Sequence, residues 1–172
     1  MNKFIQNIGV SLVGLGVLSA ASIATASEAG YEISSNIAAT SNYIWRGATQ
    51  TDDHAAVQGG IDFTHDSGIY LGTWASNVDF GTGAGSSGEV EWDVYGGYAG
   101  KIDEFGYDAG IIGYLYPDSQ NTNFYELALS GSYSIVSAGV NYTFASDVTD
   151  TGSEAFVDGD LYYFGSLGFD LA

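Results

Sequence analysis

The chain has 172 residues, with 21 acidic and 3 basic side chains, a formal net charge of −18 and no cysteine. That balance excludes nucleic acid as a partner, because phosphate binding needs Lys and Arg. The missing thiols exclude disulfides and Cys-based metal sites. The acid excess suits cations, Ca²⁺ included, and equally suits plain solubility in a salty medium. With 25 Gly, 15% aromatics and one proline, the composition fits extended, closely packed strands rather than disorder.

The first 26 residues read as a signal peptide. Lys3 gives a positive start, Phe4 to Leu18 is mostly apolar, and Ala24-Thr25-Ala26 is a small-residue cleavage signal before Ser27. The apolar run is too short for a spanning helix of about 20 residues. Residues 27–172 are expected to form one exported β domain.

Eight strand-like segments follow, at 31–46, 55–66, 68–78, 89–100, 104–116, 122–133, 135–145 and 159–171. Most reach ten residues, whereas soluble strands run to about five or six and tilted membrane strands need about 9–11. Each alternates. In the fourth, Val90, Trp92, Val94 and Tyr98 share one face, and Glu91 and Asp93 the other. In the sixth, Tyr125, Leu127, Leu129 and Tyr133 oppose Glu126, Ala128, Ser130 and Ser132. In the seventh, Val136, Ala138, Val140, Tyr142 and Phe144 oppose Ser137, Gly139, Asn141 and Thr143.

Period-two alternation fits a soluble sandwich with its apolar face inward or a transmembrane barrel with that face outward. Three features favour the barrel. Tyr43, Trp45, Trp92, Tyr98, Tyr125, Tyr133, Tyr142 and Phe144 sit near strand ends, as interfacial aromatic girdles do. The polar face combines Gly, Ser and Ala with acids, which suits a narrow lumen. Connections alternate short and long, as in outer-membrane barrels. The expected fold is therefore all-β: an antiparallel up-and-down transmembrane β-barrel of about eight strands.

No catalytic signature is present: no G-x-S-x-G, H-E-x-x-H, Walker loop or dinucleotide fingerprint. His65, Asp66 and Ser67 are adjacent in sequence, an arrangement that strand geometry keeps from converging, so an interfacial turn is the expected role. No enzyme activity, cofactor or metal site is expected. The acids of 146–160 lack the regular spacing of an EF-hand and read as a solvated loop. The Gly-rich stretch 79–88 reads as a flexible connection.

On parity, Asp62, Glu91, Asp93, Asp108 and Glu126 line the lumen. With Trp45 facing lipid, Arg46 joins them near the outer mouth as the main fixed positive charge, with rim snorkelling as the alternative.

The run from Ser41 to Val78 resembles the TorF porin family of proteobacteria. The motifs are SNYIWRG at Ser41–Gly47, Gln50-Thr51, Gln58-Gly59-Gly60-Ile61-Asp62, and H-x-S-G-x-Y-x-G-x-W-x-S-N-V at His65–Val78. The resemblance implies an outer-membrane barrel with a pore and no catalytic residue. Family members are longer and end on an aromatic residue, so a chain stopping at Phe169-Asp170-Leu171-Ala172 is expected to be truncated. The expected function is a passive channel for small polar solutes or cations, in contact with outer-membrane lipid. The alternatives are a non-conducting barrel that binds through its loops and a soluble exported β-sandwich that binds a ligand. An eight-strand interior is just filled by side chains, so conduction needs further strands or assembly.

Overall fold

The computed structural model describes residues 18–28, 30–80 and 90–169. Nearly all of the leader core, most of the Gly-rich stretch and the last three residues lie outside the described residues. Among the described residues every regular element is a strand and none is a helix. Nine strands form one antiparallel sheet: β1 (Leu18–Glu28), β2 (Tyr31–Thr40), β5 (Ala56–His65), β6 (Ile69–Asn77), β7 (Val90–Ile102), β8 (Phe105–Leu115), β9 (Phe124–Tyr133), β10 (Val136–Ser146) and β11 (Leu161–Leu167). Two short strands, β3 (Ile44–Trp45) and β4 (Ala48–Thr49), pair only with each other inside the β2–β5 connection.

Each long strand pairs with its sequence neighbours, giving an up-and-down order. β1 and β11 form the edges, and no ladder joins them among the described residues. Among the described residues the sheet is therefore not closed by backbone hydrogen bonds.

Strand lengths follow turn chemistry. Asp66-Ser67-Gly68 reverses the chain after β5, with Gly68 at φ 99° and its amide donating to the His65 carbonyl at 2.8 Å. Asp103 and Ser134 take left-handed φ values of 53° and 54° at the β7–β8 and β9–β10 turns. These three tight turns lie at one end. The longer connections after β2, β6, β8 and β10 lie at the other, as up-and-down order requires.

The two faces differ sharply. Ile61, Leu71, Val94, Ile111, Leu127 and Leu129 are exposed on one face, together with Trp92 at 46% and Tyr163 at 69%. The other face buries Glu91, Asp93, Glu126 and Thr143 beside Trp74, Ile112 and Tyr114. The apolar face is thus outward and the acid-bearing face inward. Six of the aromatics assigned to girdles lie exposed on that outer face: Trp92, Tyr98, Tyr125, Tyr133, Tyr142 and Phe144.

Two features depart from the sequence reading. The first expected strand, 31–46, ends at Thr40. Arg46 at φ 49° and Gly47 at φ 85° turn the chain back, and the hairpin folds onto the inner face. Tyr43 and Trp45 are therefore not girdle residues: Tyr43 is buried at 4%, and Trp45 packs against the core. Parity along a continuous strand pointed Trp45 outward, and the turn breaks that parity. The second departure is β1, which spans the expected cleavage signal and pairs along β2 from Leu18↔Ala39 to Glu28↔Tyr31.

Candidate functional site

Glu126 projects inward from β9, two residues from Phe124 and Ala128 on the same face. Arg46 meets it from the hairpin turn. Nη1 donates to Oε1 at 2.8 Å and Nη2 to Oε2 at 2.6 Å, a two-pronged ion pair. Asn141, on neighbouring β10, donates its amide to Glu126 Oε2 at 2.8 Å. The guanidinium lies between two rings, 4.1 Å from the Trp45 centroid and 4.2 Å from the Tyr162 centroid. Planar stacking plus a carboxylate fork is the geometry that Arg satisfies and Lys does not. The left-handed turn at Arg46-Gly47 is what allows both Trp45 and Arg46 to face inward.

Around this pair the rings form a continuous cluster, stacked from Tyr114 through Phe124 to Phe156 and tilted at Trp45. Tyr114 and Phe124 lie 4.4 Å apart, Phe124 and Phe156 4.7 Å, and Trp45 and Phe156 5.1 Å. Phe156 comes from the β10–β11 connection, so two connections close over the same end of the inner face. The hairpin is also tied into the rim: the Gln50 amide donates to the Tyr43 carbonyl, and the Asp79 amide to the Gln50 carbonyl, both at 2.7 Å.

A second cluster lies beside the first. The Tyr43 phenol donates to Glu91 Oε1 at 2.8 Å, and the Tyr116 phenol to Glu91 Oε2 at 3.0 Å. Asp93 follows two residues along β7 on the same face, flanked across the sheet by Trp74 and Tyr114. It is fully buried, and neither of its carboxylate oxygens has a hydrogen-bond partner among the described residues.

Nearer the tight turns the inner face is built differently. Tyr70 on β6 donates to Asp108 on β8 at 3.0 Å, and Tyr95 on β7 donates to Asp62 on β5 at 2.5 Å. Each phenol crosses an intervening strand at glycine. A Cβ at Gly97 or Gly110 would collide with the Tyr70 hydroxyl, and one at Gly72 with the Tyr95 ring. The small residues of this face make room for tyrosine clasps.

Asp62, Glu91, Asp93, Asp108 and Glu126 thus share one face with Arg46, and Arg46 engages only Glu126 among them. Sequence reasoning missed Trp74, Tyr114, Tyr116, Phe156 and Tyr162 as partners. The strand alternation carried a signal for Trp74 and Tyr162. Tyr116 and Phe156 lie in connections, where no periodicity reports a facing.

The acidic β10–β11 connection uses its carboxylates locally. Glu154 accepts from the Thr151 hydroxyl and from the Thr151 and Ser153 amides, which hold its carboxyl down to about 2. His65 Nδ1 lies 2.8 Å from Ser67 Oγ and accepts the Ser67 amide at 3.1 Å, a turn contact at an exposed hairpin end. Among the described residues no group of three or more His, Cys, Asp or Glu is placed to hold a metal ion.

The chain belongs to the family described as a bacterial protein of unknown function (Gcw_chp), whose model matches residues 24–171. No curated protein and no solved structure matches the chain.

Proposed function

We propose that the chain is a β-barrel of the bacterial outer membrane, formed by the eight strands β2 and β5 to β11, with its interior plugged at the loop end by the 41–51 hairpin. One observation carries this reading: the faces are inverted relative to a soluble protein. Large apolar side chains are exposed on every long strand from β2 to β11, while three carboxylates are buried on the inside. Water-soluble sheets bury the apolar face. Membrane barrels expose it to lipid and keep polar groups inside. An open sheet edge is not tolerated in lipid, so the barrel must close.

β2 and β11 run antiparallel in this order, and β1 occupies the edge of β2 that β11 needs. Removal of the leader after Ala26 truncates β1 and frees that edge. The chain has no cysteine, so paired reporters are clean. Single cysteines scanned along β2 and β11 of the membrane-inserted protein should give specific intramolecular disulfides in one antiparallel register. Failure of every pair, with protein that stays monodisperse without detergent, would overturn the barrel.

A second reading, a cation-selective channel, is favoured by the charge on the inner face, where Arg46 stands against five carboxylates. Carboxylates between low-dielectric walls focus a field that attracts cations. Single-channel recording should then show K⁺ passing more readily than Cl⁻. The preference should weaken with salt, since the Debye length falls from about 30 Å at 0.01 M to about 3 Å at 1 M. Arg46→Ala should raise the preference and loosen the plug. Absence of conductance steps in both proteins would reject the channel and leave the plugged barrel, a membrane-embedded structural or surface-binding protein.

A further inference from the structure

Among the described residues no cation contacts Glu91 or Asp93. Glu126 is neutralised by Arg46, whose guanidinium is engaged in that pair and between two rings. Glu91 receives two phenol hydrogen bonds but, among the described residues, no cation. Asp93 receives nothing among the described residues and has no exposed surface. An isolated buried carboxylate is costly, and proteins compensate such groups with a paired charge or a metal ion. Successive inward residues of a strand lie about 6.6 Å apart, so one cation between them can serve both carboxylates.

We propose that Glu91 and Asp93 hold a divalent cation of the calcium class. Asp93 offers two unused oxygens, and Glu91 offers a carboxylate already positioned by Tyr43 and Tyr116. A hard cation takes such oxygen ligands and completes its shell with neutral oxygens or water. One divalent ion would match the two carboxylates of Glu91 and Asp93. Tyr43 belongs to the plugging hairpin, so the ion and the hairpin share a ligand: cation binding would fix Glu91, and Glu91 fixes Tyr43. The inference rests on the inner face alone and does not require the outer face to meet lipid.

The test is terbium luminescence on the full chain in detergent micelles, with Tb³⁺ standing in for Ca²⁺ and excited through the surrounding rings. Trp74, Tyr43 and Tyr116 lie around the pair and would sensitise emission. Saturable emission displaced by Ca²⁺ is expected, with a decay reporting few bound waters. Asp93→Asn should weaken the affinity roughly tenfold or more, because one charged ligand is lost, and Glu154→Gln in the outer connection should change nothing. Two further readouts hold even if Asp93→Asn does not fold. Ca²⁺ should raise the wild-type melting temperature, and the wild-type decay in H₂O against D₂O should differ little. Emission that survives Asp93→Asn unchanged, or wild-type emission only from fully hydrated Tb³⁺, would overturn the proposal.

Discussion

The two faces of the sheet come from the same strands, residue by alternate residue, yet they are built on different rules. On the outer face Val90, Trp92 and Val94 stand exposed with few specific partners beyond the Trp92 indole, which donates to Thr73 Oγ1 at 2.5 Å. On the inner face Glu91 and Tyr95 are held by phenol–carboxylate bonds, Glu126 by its ion pair with Arg46, and Tyr114 by ring stacking. One face is generic and the other is specific. A generic apolar surface tolerates exchange among apolar residues and rejects charge. A specific polar interior rejects the loss of any single partner. Substitutions should therefore fail for opposite reasons on the two faces.

The largest effect is expected inside. Glu126→Ala leaves the largely buried Arg46 guanidinium without its carboxylate and should cost up to about 3–5 kcal/mol. The double change Arg46→Met with Glu126→Leu should recover much of that, because it removes both charges. Chemical denaturation of the detergent-solubilised protein would measure both. If Glu126→Ala is as stable as wild type, the ion pair does not hold the plug.

Next comes the outer face. Leu127→Arg or Leu129→Arg should impair membrane assembly by about 2–4 kcal/mol, the cost of a charge at mid-depth on a barrel's lipid side. Ser130→Arg, on the inner face of the same strand, should assemble better. Equal assembly of all three in folding assays with lipid vesicles would erase the distinction between faces.

The glycine clasps sharpen the comparison further. Gly72→Ala sets a methyl against the Tyr95 ring and should cost about 1–3 kcal/mol, as overpacking does. Gly59→Ala lies on the outer face of β5, but its Cβ would fall 2.8 Å from the Asn36 carbonyl, so it makes a poor control. Gly165→Ala is the better one, since its Cβ would meet only the Ser137 carbonyl at 3.6 Å. Smallest of all, Tyr70→Phe deletes one hydrogen bond to Asp108 and should cost about 1 kcal/mol. Thermal unfolding followed by far-UV circular dichroism would rank these three.

Much of the sheet was legible because period two is rigid. Glu91 and Asp93 had to oppose Trp92 and Val94 wherever the strand lay, and the strand limits shifted by only one or two residues through β5 to β10. The alternation says nothing about closure, which depends on β1, β2 and β11 competing for edges far apart in sequence. The hairpin at 41–51 was misread because Tyr43, Ile44 and Trp45 favour strand structure and continue β2 in pattern. Only the Arg46-Gly47 turn reverses them, and a lone glycine after an arginine is a weak turn signal. The Tyr70 and Tyr95 clasps depend on cross-strand register, which no single segment encodes. The Arg46–Glu126 pair, 80 positions apart, belongs to the same class.

The central claim, that the apolar face meets lipid and the acidic face does not, can be tested through tryptophan fluorescence, because the chain has three: Trp45, Trp74 and Trp92. Trp92 is exposed on the outer face, and Trp74 is buried on the inner one. A protein retaining only Trp92 (Trp45→Phe with Trp74→Phe) and one retaining only Trp74 (Trp45→Phe with Trp92→Phe) would be folded into bilayers with brominated acyl chains. The account predicts strong quenching of Trp92 and weak quenching of Trp74. Equal quenching of the two, or a Trp92 that stays bright in brominated lipid, would contradict it.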